Sequence, residues 1–283
     1  MVSVNTNMGA MVALQALTQT QSDLAATQNQ ISTGLAVSSA KDNAAIFSIA
    51  QKMRADVGGY QAVSQSLSNA GSTVDVATAA AQSVSDLLVQ MKQKAVAASD
   101  TSLDATSRTA LDNDYQALKA QIGTTIANAN FNGVNMLDST TTVGTYSATI
   151  KAITTTDGAT LAAGTSGFIS VTPGLDFSTI STALGSLSSA AAAGTEASAI
   201  DTQATAVNAA LAKLGSGSKQ LDLQKTFVAK LTDALNAGIG NLVDADMATE
   251  SAKLQSLQVK QQLGVQALSI ANQSPQVLLS LFR

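Results

Sequence analysis

Few residues in this chain could do chemistry. Asp244, Asp246 and Glu250 bring three carboxylates close together in sequence, a grouping that could hold a hard cation through oxygen ligands. A calcium-type loop spaces its oxygens around a turn glycine, and no such loop surrounds these residues. The better reading is structural, since carboxylates in a helix's first turn favour its dipole by about 0.3–1 kcal/mol. Asp42 reads the same way, while Lys52 with Arg54, and Lys92 with Lys94, read as solvated faces or partners for another chain. There is no Cys and no His. That removes disulfides, thiolate catalysis and thiolate metal sites, together with the commonest metal ligand and general base. No catalytic residue, metal ligand or cofactor is expected, and the chain does not read as an enzyme.

The elements that would position any site are long helices. Residues 1–40 carry one charge, Asp23, and residues 261–282 carry none, although charges are plentiful between them. Both segments read as built for burial. Leu14, Leu17, Leu24, Ile31 and Leu35 follow the three- and four-residue steps of a heptad, with Gln21 and Gln28 at the intervening core-type positions. Near the other end Met247, Leu254 and Leu268 share one seven-residue row, and Leu263, Ile270 and Val277 another. That is a broad apolar face, which asks for partners on several sides. A lone solvated helix is marginal, so the two terminal helices need each other and further copies. The packing set expected is those five N-terminal residues with Leu254, Leu257, Leu263, Leu268, Ile270, Val277, Leu278, Leu281 and Phe282.

Between the ends, the first helix should stop near Thr33 and Gly34, since Gly takes the left-handed conformation that closes a helix. Ser38 to Asn43 is a cap-rich entry into an apolar pattern running from Ile46 to Val96, weakened at Gly58, Gly59 and Gly71 by about 1 kcal/mol each. A break near Asp100 leads to a further helix through Leu111, Tyr115 and Ile126 that ends at Asn128 to Gly133. From Thr140 to about Gly174 the composition turns to Thr, Ser, Gly and alternating apolar residues, with Asp157-Gly158 as a turn signal, which predicts a small β-rich insert. Helical character returns over Phe177 to Leu187 and continues after Gly194 through Leu221, Leu223, Phe227 and Leu235. Gly238 and Gly240 read as the next joint, with the last helix starting near Asp244 to Met247. The fold class predicted is mainly α: an antiparallel long-helix coiled-coil rod, both termini paired at one end, with a small β-rich outer insert.

Composition narrows the partners. With three Tyr, six Phe and no Trp among 283 residues, packed helices fit better than a deep mixed core. A net charge of −4 without a basic run leaves nothing to neutralise phosphates, so nucleic acid is not expected. The first helix has no basic residue before Lys41, whereas interfacial membrane helices carry Lys and Arg; no membrane partner is expected. No segment reaches about 20 consecutive apolar residues, and Met1 to Met11 lacks the marks of a cleavable signal peptide.

Three segments resemble bacterial flagellin. Ser32 to Ala45 resembles the family's SSGLRINSAKDDAA block and includes Gly34, Lys41 and Asp42. Phe131, Asn132 and Gly133, with Leu137, match the FNGxxxL segment. Asp244-Ala245-Asp246-Met247-Ala248-Thr249-Glu250, with Gln261-Gln262, Gly264, Ala271-Asn272-Gln273, Pro275-Gln276 and the closing Leu281-Phe282-Arg283, matches the C-terminal pattern.

The resemblance implies a secreted subunit of the extracellular flagellar filament. It implies an inner-tube domain of residues 1–42 with 238–283, a helical rod of 43–139 with 190–237, and a solvent-facing insert at 140–189. Export unfolded through the flagellar type III apparatus is implied too, as are a cytosolic export chaperone, a filament cap and hook-junction proteins as partners. Ala36 replaces the family's usual Arg, and Asn241 to Val243 replace an Arg-hydrophobic-Glu run. The segment that an innate-immune Toll-like receptor recognises in the family reads like QRVRELAV; here it is residues 89–96, with Gln90 for an Arg and Lys94 for a Leu. Weak receptor activation is expected. A hook-filament junction protein shares these terminal patterns, and indefinite growth separates the two readings.

Overall fold

The structure, a computed structural model, describes residues 7–139, 145–146, 149–156 and 167–280, with backbone alone at 145–146 and 274–280. The order is α1 (Met8–Thr33), α2 (Ala44–Ala98), α3 (Ala105–Ala127), β1 (Asn130–Phe131), β2 (Val134–Asn135), β3 (Thr145–Tyr146), β4 (Ile150–Ile153), β5 (Phe168–Val171), α4 (Ser178–Ala183), α5 (Ala190–Val243) and α6 (Met247–Ser280). The expectation of a mainly α chain with a small β-rich insert holds. The chain forms two compact units, Met1–Val57 with Asp233–Arg283, and Gly58–Thr232.

Helix ends are set by side chains that satisfy the orphan amides of a first turn. Asn7 Oδ1 accepts from Ala10 N at 3.0 Å, Asp104 Oδ1 from Ser107 N at 3.2 Å, and Ser189 Oγ from Ala192 N at 3.1 Å. Gly34, at φ 72°, ends α1 and donates to the Gln30 carbonyl at 2.8 Å.

The second unit is held by helix faces with alternating three- and four-residue steps. On α2 the buried row runs Val63, Leu67, Ala70, Val74, Ala77, Ala81, Val84, Leu88, Met91, Ala95 and Ala98; on α5 it includes Val207, Ala210, Leu214, Leu221 and Val228; α3 adds Tyr115, Ile122 and Ile126. Burial at about 25 cal/mol per Å² over so long a seam outweighs the glycines inside α2. The Tyr115 hydroxyl donates to Glu196 Oε2 at 3.1 Å, and the Gly185 amide donates to the same oxygen at 2.9 Å. Burial, with the adjacent Glu196 carboxylate, pushes Tyr115 ionisation up.

β1 and β2 pair antiparallel around Asn132 (φ 49°) and Gly133 (φ 80°), the two positive angles of a type I′ turn. Asn135 ties this hairpin to α3, donating to the Ile126 carbonyl at 2.8 Å while its own carbonyl accepts from Leu137 N at 2.8 Å. β3 lies parallel to β2. β4 and β5 pair antiparallel with Ile150 opposite Val171 and Ile153 opposite Phe168. The Ile153 amide donates to Ser66 Oγ of α2 at 3.1 Å. Two helix glycines receive this region: a Cβ on Gly59 would stand 2.6 Å from Thr156 Cγ2, and one on Gly217 would collide with Val171. The predicted Asp157-Gly158 turn lies outside the described residues.

Three sequence expectations change. The helix expected over Phe177 to Leu187 is shorter, Ser178–Ala183. The next begins at Ala190, before Gly194. Gly238 and Gly240 are not a joint, because α5 continues through both to Val243. Packing explains Gly238, where a Cβ would stand 2.9 Å from Met53 Cε.

Hydroxyls within the helices are largely satisfied by their own backbone. Thr18, Thr20, Thr33, Thr73, Thr78, Thr109, Thr202, Thr205 and Thr226 each donate to the carbonyl four residues earlier at 2.8–3.1 Å.

Candidate assembly surface

α1 and α6 pack antiparallel within the first unit. Asn7 Nδ2 donates to the Ala271 carbonyl at 2.6 Å, Leu17 lies beside Gly264, and Leu35 bridges Asp244. The face α6 turns to the chain follows Glu250, Leu254, Leu257, Gln261, Gly264, Leu268 and Ala271, all buried or half-buried.

The matching face of α1 differs from the expected heptad by one row. Leu17, Leu24 and Ile31 are on it, but the row beside them is Ala13, Thr20 and Thr27; Leu14, Gln21 and Gln28 are exposed. The small side chains of the observed row let the two helices approach closely, which Leu14 and the long glutamines would prevent. Three oxygens buried in this unit, Thr27 Oγ1, Gln30 Oε1 and Glu250 Oε2, have no hydrogen-bond partner within the described chain. Lys253 Nζ lies 3.4 Å from Glu250 Oε2.

The remaining faces of both helices are open and carry exposed apolar side chains among glutamines and hydroxyls. Met8 (69 %), Met11, Val12 and Leu14 (54 %) of α1 are exposed, as are Met247, Val259, Leu263 (58 %), Val265 and Ile270 (70 %) of α6. Leu17 and Leu257 are buried, and Leu24, Ile31, Leu35, Leu254 and Leu268 are half-buried. The side chains of Val277 and Leu278 lie outside the described residues, as do Leu281 and Phe282 altogether. Sequence reasoning omitted Val259 and Val265 because they fall off the seven-residue rows; their signal is the scarcity of charge around them.

The joint between the terminal helices is built from the resembling motifs. The Ala36 and Val37 amides donate to the Val243 carbonyl at 2.7 and 3.3 Å, and the Ala245 amide to the Gly34 carbonyl at 2.9 Å. Asp42 Oδ2 accepts from the amides and hydroxyls of Ser38 and Ser39 at 2.9–3.1 Å. These bonds, the Ser38 hydroxyl foremost, hold its carboxyl below the usual carboxylate range. Asn43 Oδ1 caps α2, accepting from Ala45 N and Ile46 N at 3.1 Å each. Asp246 caps α6 through Ala248 N at 3.0 Å and Thr249 Oγ1 at 2.7 Å, and the Thr249 hydroxyl leads the bonds that lower its carboxyl. Lys41 is exposed. Among the described residues no cluster could hold a metal ion, and Asp244, Asp246 and Glu250 do not converge: one bridges a strand-like pair, one caps, one is half-buried.

On α2, Gln90 is exposed while Met91, just before the two lysines, is buried. Lys92 and Lys94 make ion pairs within the chain, with Asp201 at 2.5 Å and Asp114 at 2.6 Å. Val96, Leu223 and Phe227, expected in core patterns, are exposed. Each falls off its helix's buried row, Val96 beside Ala95 and Phe227 beside Val228. No described helix is long and apolar enough to cross a membrane.

Residues 4–142 match the bacterial flagellin N-terminal helical region and residues 197–282 the bacterial flagellin C-terminal helical region. The chain is 50% identical over 289 residues to flagellin FljM of Caulobacter vibrioides, covering 99% of this chain and 98% of that one. It is 40% identical over 299 residues to a flagellin of Brucella melitensis, covering 100% of both. The crystal structure of Bacillus cereus flagellin is similar with a TM-score of 0.50 at 27% identity, over 58% of this chain and 88% of that one. Two terminal helices that pair with each other yet leave apolar side chains exposed are accounted for by these likenesses: the chain belongs to the bacterial flagellin family, whose members are structural proteins and not enzymes.

Proposed function

We propose that this chain is a subunit that polymerises through α1 and α6 into the extracellular helical flagellar filament used for swimming, after export unfolded through the flagellar type III apparatus. The observation that carries the reading is the set of apolar side chains left facing outward after α1 and α6 have paired, from Met8 and Leu14 to Leu263 and Ile270. Covering such side chains is worth about 1.5–3 kcal/mol each, and exposed apolar side chains gathered on a surface mark interaction sites. In this reading residues 1–42 with 238–283 line the inner tube, 43–139 with 190–237 surround it, and 140–189 face solvent. The partners are further copies, an export chaperone, a cap and hook-junction proteins. Toll-like receptor recognition is weak, because Gln90 lacks the charge of the family's Arg and Lys94 is engaged with Asp114. A receptor reporter assay showing ordinary potency for the monomer would refute that last element.

Negative-stain electron microscopy tests the main reading. Full-length protein under polymerising salt should form long filaments, and a version lacking residues 1–41 and 239–283 should form none. Full-length protein that stays monomeric even with filament seeds overturns filament growth and favours a junction protein.

A further inference from the structure

The chain has two prolines, and one of them, Pro275, lies inside α6, which runs through it to Ser280. In an α-helix the amide of residue i donates to the carbonyl of residue i−4, and proline has no amide hydrogen to give. Pro275 therefore withholds from α6 the bond that would have closed on the Ala271 carbonyl. A backbone carbonyl removed from water needs a donor, and Ala271 is half-buried on the face that α6 turns to α1.

Asn7 supplies that donor. Its Nδ2 donates to the Ala271 carbonyl at 2.6 Å, while Oδ1 of the same carboxamide accepts from Ala10 N at 3.0 Å. One end of the side chain caps α1 and the other closes the gap in α6. Serine and aspartate cap a helix about as well as asparagine, but neither carries an N–H on its far side. The first turn of α1 comes close enough for the reach: the point a Cβ on Gly9 would occupy stands 3.9 Å from Ala271 Cβ.

The bond sits where it can select a register. Among the described residues it is the one hydrogen bond from residues 7–33 to α6. The rest of the pairing is side-chain packing such as Leu17 on Gly264, which by itself gives no donor or acceptor to align. Every other carbonyl of α6 from Met247 to Gln276 has an amide four residues on to close with, so Ala271 is the one place along that length that rewards an incoming donor. The joint pins the far end of the pair, where the Ala245 amide donates to the Gly34 carbonyl at 2.9 Å. At 1.5 Å rise per residue, Gly34 to Asn7 spans about 40 Å and Ala245 to Ala271 about 39 Å, so the two pins fit a single antiparallel pairing.

We propose that Asn7 is the register-setting residue of the terminal helix pair, and that Pro275 makes it so by leaving the Ala271 carbonyl open to the Asn7 amide. Held there, α1 keeps Met8, Met11 and Leu14 level with the stretch of α6 that carries Leu263 and Ile270, and these are the side chains a further copy would cover. The assignment rests on the filament reading above and adds to it the two residues that decide which outward face the pair presents.

The test is a cycle of variants in full-length chain, read as the critical concentration for filament growth. Asn7→Ser keeps the cap and loses the bond to Ala271, and it should raise the critical concentration about tenfold. In a Pro275→Ala chain residue 275 has an amide of its own for the Ala271 carbonyl, so the same Asn7→Ser change should then shift the critical concentration less than twofold. No rise in the native background overturns the assignment, and so does a rise of equal size in both backgrounds, which would make Asn7 a cap and nothing more. Either result leaves the filament reading intact, whereas native chain that grows no filaments overturns both. If Pro275→Ala itself blocks growth, Asn7→Asp in the native background decides. Aspartate caps well and suits the start of a helix, so a cap alone would leave growth unchanged or improved and overturn the assignment; a rise at least as large as that of Asn7→Ser is expected.

Discussion

Leu17 of α1 lies against Gly264 of α6, its Cδ1 3.3 Å from the point a Cβ there would occupy. Gly264→Ala gains about 1 kcal/mol of helix propensity and asks Leu17 to yield by a few tenths of an ångström, so it should be close to neutral. Gly264→Val has no room and should destabilise by about 1–3 kcal/mol. Thermal unfolding of the two variants checks this, and equal stability would mean that the helices do not approach closely at this level.

Thr27 is fully buried, and its hydroxyl has no partner within the described chain. An unsatisfied buried hydroxyl costs about 1–3 kcal/mol, so Thr27→Val should leave the monomer as stable or up to about 1 kcal/mol more stable. Denaturant unfolding reads the sign. A clear loss of stability would mean that the hydroxyl is bonded after all.

Asp42 and Asp246 are held below the usual carboxylate range by bonds led by the Ser38 and Thr249 hydroxyls. A depressed carboxyl contributes stability above its unfolded value of about 3.9, and the contribution is lost as pH falls through the lower folded value. The melting-temperature difference between wild type and Asp42→Asn should therefore be flat from about pH 7 to 5 and shrink below about pH 4. A difference that persists unchanged in strong acid would exclude the carboxylate.

Val171 occupies the space a side chain on Gly217 would need. Gly217→Val should dislodge β5 from α5 while leaving the helices formed. Hydrogen exchange should show faster exchange at the paired residues 150–153 and 168–171 with far-UV circular dichroism little changed. Unaltered protection there would show that the hairpin is held elsewhere.

Local chemistry was legible in the sequence: Gly34 at a helix end, the caps around Asp42 and Asn43 and the Asp246 cap are each decided by residues within a few positions, whereas Asn132-Gly133 was read as a helix end and is a hairpin turn. Two kinds of feature were not. Leu14 and Ile270 fit an apolar row as well as Leu17 and Leu257 do, and periodicity cannot tell burial inside a chain from a face left open; Leu223 and Phe227 mislead in the same way. Gly238 and Gly240 read as breaks because propensity is local, whereas Met53, distant in sequence, accounts for Gly238.

The threonines that bond back onto their own helix turns have a consequence for any surface laid on them. Their donors are spoken for before a neighbour arrives, so drying such a face strands few polar groups. At these threonines a neighbour meets methyl groups and spent donors, so what it must match there is shape, and a small slip along the helix breaks no hydrogen bond to them.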